Sequence, residues 1–166
     1  MSPSLHSLRT VAALLLGCVL CVNTPARESH LAFAPDQRAQ QTAIRHARDL
    51  VMFAQSELRL KLDWSDQSVR MVEELAGSLH ADVRRQRAAP DDVAPLVTMI
   101  GSYVGEVLRR NHGAEWGWVS ANGRRVLALR AEPTGALFTP VETVKRRVHQ
   151  GAASNLWRTY RAKAGL

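Results

Sequence analysis

Apolar residues recur along this chain first at helical spacing and later at strand spacing. From Pro35-Asp36 to about Leu60, the residues Ile44, Ala47, Val51, Ala54 and Leu58 predict one amphipathic helix. Leu62-Asp63-Trp64-Ser65 breaks that pattern, and Ser65 is placed to cap a second helix running to about Arg87. Its stripe is Val69, Val72, Leu75, Ala76, Leu79 and Val83. After Ala89-Pro90-Asp91-Asp92 a third helix carries Val93, Leu96, Val97, Ile100, Val104, Val107 and Leu108 on one face. Gly101 and Gly105 widen that face at one edge, and Met99, Tyr103 and Glu106 widen it at the other. An arc this broad predicts a central helix touched on more than one side. Pro95 is tolerable there because it falls in the first turn. Asn111-His112-Gly113 stops the helix, with Gly113 as the turn residue.

The spacing then changes to two. Residues 116–119 and 126–130 read as strands joined at Ser120-Ala121-Asn122-Gly123, where Asn-Gly is a hairpin signal. Glu132-Pro133-Thr134-Gly135 turns the chain again, and 136–139 make a third short strand. Pro140 opens a helix through Val141, Val144 and Val148 that ends near Gly151. Ser154 is placed to cap a last short helix with Leu156, Trp157 and Tyr160. The expected class is α+β, with a three-helix N-terminal part, a small antiparallel three-stranded meander and two short C-terminal helices.

The N-terminus changes the picture of where this domain works. A polar start with Arg9, an apolar run from Val11 to Val22 and the exit Asn23-Thr24-Pro25-Ala26 have the layout of a secretory signal peptide. Residues 1–26 are expected to be removed, leaving 27–34 as a short tail and 35–166 as a single α+β domain. The product is then periplasmic or secreted. Leu15-Leu16-Gly17-Cys18 offers the competing reading of a lipoprotein anchored at Cys18, the one route to a membrane. Both cysteines of the chain, Cys18 and Cys21, fall in this segment, so packing without disulfides must hold the mature domain. About 140 residues suffice for one core.

The net charge is +7 and is carried mostly by arginines. They stand in short groups, Arg84-Arg85-Gln86-Arg87, Arg109-Arg110, Arg124-Arg125 and Lys145-Arg146-Arg147. Most of these sit at helix ends or turn edges, where cations complement the helix dipole, and no nucleic-acid partner is expected.

The segments Leu62-Asp63-Trp64-Ser65-Asp66-Gln67-Ser68-Val69, Ile100-Gly101-Ser102-Tyr103-Val104-Gly105-Glu106-Val107 and Gly113-Ala114-Glu115-Trp116 resemble a widespread bacterial family of domains of unknown function. The tail Pro140-Val141-Glu142-Thr143-Val144-Lys145-Arg146-Arg147-Val148, with Gly151 and the aromatic helix after it, fits the same family. The resemblance spans roughly 62–160. It implies a compact helical domain with a β-hairpin element and assigns no catalytic residue.

Chemistry-bearing constellations are sparse. The sequence holds no His-Glu-x-x-His, and His46, His80, His112 and His149 are dispersed, so no metal or cofactor is expected. Gly101-Ser102-Tyr103-Val104-Gly105 lacks the central serine and the strand–turn–helix setting of a nucleophile elbow. No catalytic residue is assigned. Glu106 pairs at i+3 and i+4 with Arg109 and Arg110, or else carries a raised pKa at the margin of a buried helix. Trp116 and Trp118 point to one sheet face, as core or as a stacking platform. Glu106, Arg109, Arg110, Trp116, Trp118 and Arg146 are therefore the candidate binding residues, and Gly101, Gly105 and Gly113 the structural ones. The expected function is a non-catalytic protein-binding or inhibitor module of the cell envelope, of an immunity type, with another protein as partner. The alternative is a cell-wall glycan-binding or glycan-cleaving protein built on Glu106 and the Trp116–Trp118 strand.

Overall fold

The computed structural model describes residues 32–121 and 123–166. The signal-peptide and lipobox segments, and Asn122 of the hairpin turn, lie outside them. The elements in chain order are β1 (Phe33–Pro35), α1 (Gln37–Glu57), α2 (Ser68–Arg84), α3 (Pro90–His112), β2 (Ala114–Ala121), β3 (Arg124–Ala131), β4 (Leu137–Phe138), α4 (Pro140–Gln150) and α5 (Leu156–Ala164), with a 3-10 turn at Gly151–Ser154 before α5.

The expected architecture is corrected at both ends. The sheet has four antiparallel strands in the order β1-β2-β3-β4, not three. The added strand comes from the segment ahead of the first helix, with Phe33 opposite Val119 and Pro35 opposite Gly117. Three residues are too few to show a period of two, and proline is tolerated on an edge because an edge strand has N–H groups to spare. The C-terminal part is a helix, a 3-10 turn and a second helix rather than two helices alone. Ser154 ends the turn, and Asn155 takes the capping role by accepting the Arg158 N–H at 2.7 Å.

Helix α1 starts where Asp36 accepts the backbone N–H groups of Arg38 and Ala39 at 2.8 and 3.0 Å. Its buried stripe is Ala39, Ala43, Ala47, Leu50 and Ala54, one step round from the expected one. Ile44 and Val51 are half-buried and Leu58 is exposed. The alanines let α1 approach α3 closely. Helix α3 is the axis of the domain: every residue from 100 to 108 is buried, Glu106 included. One of its sides faces the sheet, where Trp116, Leu129 and Phe138 fill the core. The start of α4 crosses another side.

The two helical glycines mark those two contacts. A Cβ on Gly101 would lie 2.5 Å from the Val141 Cα of α4, and one on Gly105 would lie 2.4 Å from the Trp116 indole. Helix α2 joins α4 through an ion pair in which Arg147 Nε donates to Glu73 Oε1 at 2.6 Å. Glu73 also accepts from Asn155 Nδ2 and the Leu156 N–H at 3.1 and 2.7 Å, so one carboxylate docks the last helix as well.

Strand β1 is held close to the hairpin. A Cβ on Gly117 would fall 2.3 Å from the Ala34 carbonyl and 2.6 Å from the Phe33 ring, and Arg130 stacks 4.9 Å over that ring on the side away from the helices. Gly117→Ala is expected to displace β1 and cost about 1–2 kcal/mol. Urea unfolding checks this, and an unchanged midpoint would show that β1 adds nothing to the sheet.

Candidate functional site

Functional-type side chains gather where α3 ends. The helix closes with Glu106, Arg109, Arg110, Asn111 and His112, and spacings of three and four bring the first three together. Arg109 Nε and Nη2 donate to Glu106 Oε2 and Oε1 at 2.9 and 2.8 Å, and Arg110 Nε donates to Oε1 at 2.9 Å. The Trp116 indole N–H reaches Oε2 at 3.5 Å. Burial pushes the Glu106 carboxyl up, but the hydrogen bonds and charges of the two arginines outweigh it and hold it below its usual value. Of the two readings of Glu106, the pairing with Arg109 and Arg110 is the one found, and the raised pKa is not. Glu106 is fully buried, ionised and saturated, and has no proton to offer as an acid.

A second hub adjoins it in the loop between α1 and α2. Asp66 Oδ1 accepts from Asn111 Nδ2 at 3.0 Å, from His112 Nε2 at 2.9 Å and from the buried Tyr160 hydroxyl. Burial pushes Asp66 up, and these donors more than reverse it, so it too lies below its usual value. Burial and the Asp66 charge push the Tyr160 hydroxyl well up, so it stays protonated as a donor.

Trp64 links the two hubs. It holds a left-handed backbone, φ 66°, which is strained for an aromatic residue. The strain is held by its neighbours. Its N–H donates to the Tyr103 hydroxyl at 3.0 Å, its carbonyl accepts from Asn111 Nδ2 at 3.0 Å, and its ring lies 4.8 Å from that of Tyr103. Ser68 gives its proton to the Ser65 carbonyl at 2.6 Å, so Tyr103 is the donor in their 2.6 Å contact.

This junction carries an aromatic and cationic surface. The Arg110 guanidinium lies 3.9 Å over the half-buried Trp64 ring. Trp157, also half-buried, stacks on Tyr160 at 5.9 Å, with Arg70 and Arg161 at 5.9 and 6.0 Å from its centroid. Cations on indole faces are attracted by the ring quadrupole, which fixes both partners.

Of the residues expected from sequence, Glu106, Arg109, Arg110 and Trp116 come together. Trp116 is core, so it offers no stacking platform. Trp118 shares its sheet face but lies at the other end, where its indole donates to Asp36 Oδ2 at 2.9 Å and Arg125 covers its ring at 4.8 Å. Arg146 is exposed on α4, donates to Thr143 Oγ1 at 3.1 Å and stands outside the junction. Gly101 and Gly105 are points of close approach, and Gly113, at φ 64°, turns the chain out of α3. Ser102 is buried in mid-helix. Asp66, Tyr160, Trp64 and Trp157 are absent from the binding residues expected from sequence: Trp157 and Tyr160 enter there only as apolar positions of the last helix, and Asp66 and Trp64 lie in a loop where no periodic signal marks them.

Among the described residues no cluster of His, Cys, Asp and Glu is suited to a metal ion, and no helix is long and apolar enough to cross a membrane. A sequence family described as "Domain of unknown function (DUF3806)" matches residues 77–160. No curated protein matches the chain. A crystal structure from Bacteroides thetaiotaomicron is similar at a TM-score of 0.58 and 16% identity, over 79% of this chain and 46% of that one. The chain thus spans less than half the length of that protein, and at this identity the likeness speaks for the fold alone.

Proposed function

Since this chain belongs to the DUF3806 family, a domain of unknown function, we propose its role from its own residues: it binds another protein and carries out no catalysis. The working face is the arginine and tryptophan surface at the end of α3, the start of α2 and α5. The observation that carries this reading is the division of labour at the junction. Its carboxylates Glu106 and Asp66 are engaged internally and ionised, while Arg70, Arg110 and Arg161 stay exposed around two half-buried indoles. Tryptophan and arginine in such settings are the residue types that dominate protein interfaces.

The anchor of the face thereby moves from the Trp116–Trp118 strand to Trp64 and Trp157. The same observation weighs against glycan cleavage, which needs two accessible carboxyl groups, one of them holding a proton. The signal-like layout of residues 1–26 supports action in the cell envelope, periplasmic or secreted, as an inhibitor or immunity-type module that works by occlusion.

Site-specific photo-crosslinking in the producing cells tests this. A photoreactive phenylalanine at position 70 or 161 is expected to give one discrete protein adduct, and the same group at the exposed position 48 on α1 none. No adduct from 70 and 161, or equal adducts from 48, would sink the reading.

A further inference from the structure

Arg110 is a half-used guanidinium. Its Nε donates to Glu106 Oε1 at 2.9 Å, and its plane lies 3.9 Å over the Trp64 ring. Trp64 is itself fixed by Tyr103 and Asn111 through its backbone N–H and carbonyl. Among the described residues, neither terminal nitrogen of Arg110 has a hydrogen-bond partner. Its side chain remains 32% exposed. A guanidinium normally spends side-chain entropy to reach a fixed geometry, and this one has already spent it.

The local charge favours an anion. Glu106 brings one negative charge against the two positive charges of Arg109 and Arg110, and across the wider face the cations Arg70 and Arg161 stand against the ionised Asp66 and Asp63, which leaves one positive charge unbalanced overall. Arg109 cannot supply the fork in its place, because its Nε and Nη2 are already committed to Glu106. Beyond Asp66, Arg70 and Arg161 flank Trp157 and add two further exposed cations to the same face.

We propose that Arg110 is a preorganised receptor for a carboxylate side chain on an acidic segment of a partner protein. The inference rests on the binding-face reading above and names the chemistry of the partner. Two parallel N–H groups match the two oxygens of a carboxylate, a charge-assisted pair with defined geometry. The Trp64 ring forms an apolar floor beneath the contact. A second acidic residue on the same segment meets Arg70 or Arg161, so an extended acidic stretch fits the face better than an isolated ion does.

The test uses an acetylated hexaglutamate peptide titrated into the isotope-labelled protein. Saturable shifts are expected at the Arg110 Nε–H and Trp64 indole resonances. Arg110→Lys keeps the charge but loses the fork and is expected to weaken binding roughly tenfold. Arg146→Lys, away from the junction, is expected to bind as the parent does.

Inorganic phosphate at the same concentration should leave these resonances in place. If it moves them saturably, the site is a general anion site and the proposal falls. Equal binding by Arg110→Lys, or shifts centred on residues 84–87, would also overturn it. Should Arg110→Lys perturb the fold, the shift map of the parent protein alone decides by where its saturable changes centre. Peptide failure alongside a positive crosslink from 70 and 161 removes only the carboxylate anchor. Failure of both removes the binding face as well.

Discussion

Gly101→Ala is expected to destabilise the domain by about 3 kcal/mol and to lower Tm by about 10 °C. The sign is opposite to the usual one. Alanine in a helix interior is normally better than glycine by about 1 kcal/mol. Here the new methyl would lie 2.5 Å from the Val141 Cα and 2.7 Å from its N, both backbone atoms at the start of α4. A side chain could rotate away, but a backbone can yield only if the whole of α4 lifts off α3. At Gly105 the obstacles are the Trp116 and Leu129 side chains, so the same change there should cost less. Thermal unfolding of both variants checks the order. A Tm at Gly101→Ala equal to or above that of the parent would refute the close crossing.

Glu106→Gln is expected to cost about 2–3 kcal/mol at neutral pH, somewhat under the usual figure for breaking a buried ion pair. The discount reflects its partners. Arg109 and Arg110 are 30% and 32% exposed and recover water once the carboxylate is gone, whereas Glu106 is fully enclosed. The pH dependence carries a definite sign. In the folded chain the Glu106 carboxyl is held below its ordinary value of 4.5. Its stabilisation is therefore complete above that value and fades as pH falls through the lower folded pKa. The gap between parent and variant should be constant near neutrality and close in acid, where the parent also carries an uncharged side chain. Urea unfolding across that range tests it. A gap that stays open in acid would show that packing, not charge, is what the substitution removes.

The glycines show what sequence can and cannot give. Two glycines four apart on one helix face announce close approach, and both make one. Which neighbour approaches depends on how distant segments fold back: Gly101 meets α4 and Gly105 meets a tryptophan of the sheet. Alternation likewise puts Trp116 and Trp118 on one face, as found. It does not reveal that one lies over Gly105 in the core and the other at the rim beside Asp36. Glu106 with its arginines was legible because their spacing is local.

Asp66 was not legible. Its partners Asn111 and Tyr160 stand 45 and 94 residues away, and a loop carboxylate carries no period that could hint at them. The arginine and tryptophan face shares that opacity, since Trp64 is tied to α3 through Tyr103 and Asn111, 39 and 47 residues away, and Trp157 stacks on Tyr160, the distant partner of Asp66. Strand β1 escaped for a different reason, being shorter than the pattern that defines a strand.

That strand also orders events during synthesis. Phe33–Pro35 leaves the ribosome ahead of every described helix, yet its partner is β2, beyond the end of α3. Asp36, which starts α1, waits equally long for Trp118, 82 residues later. Contacts between such distant segments form slowly, because a long loop must close before any of them is made. The first described element to be made is thus kept waiting for most of the chain, and α1 must pass its early life without the sheet that later fixes its start.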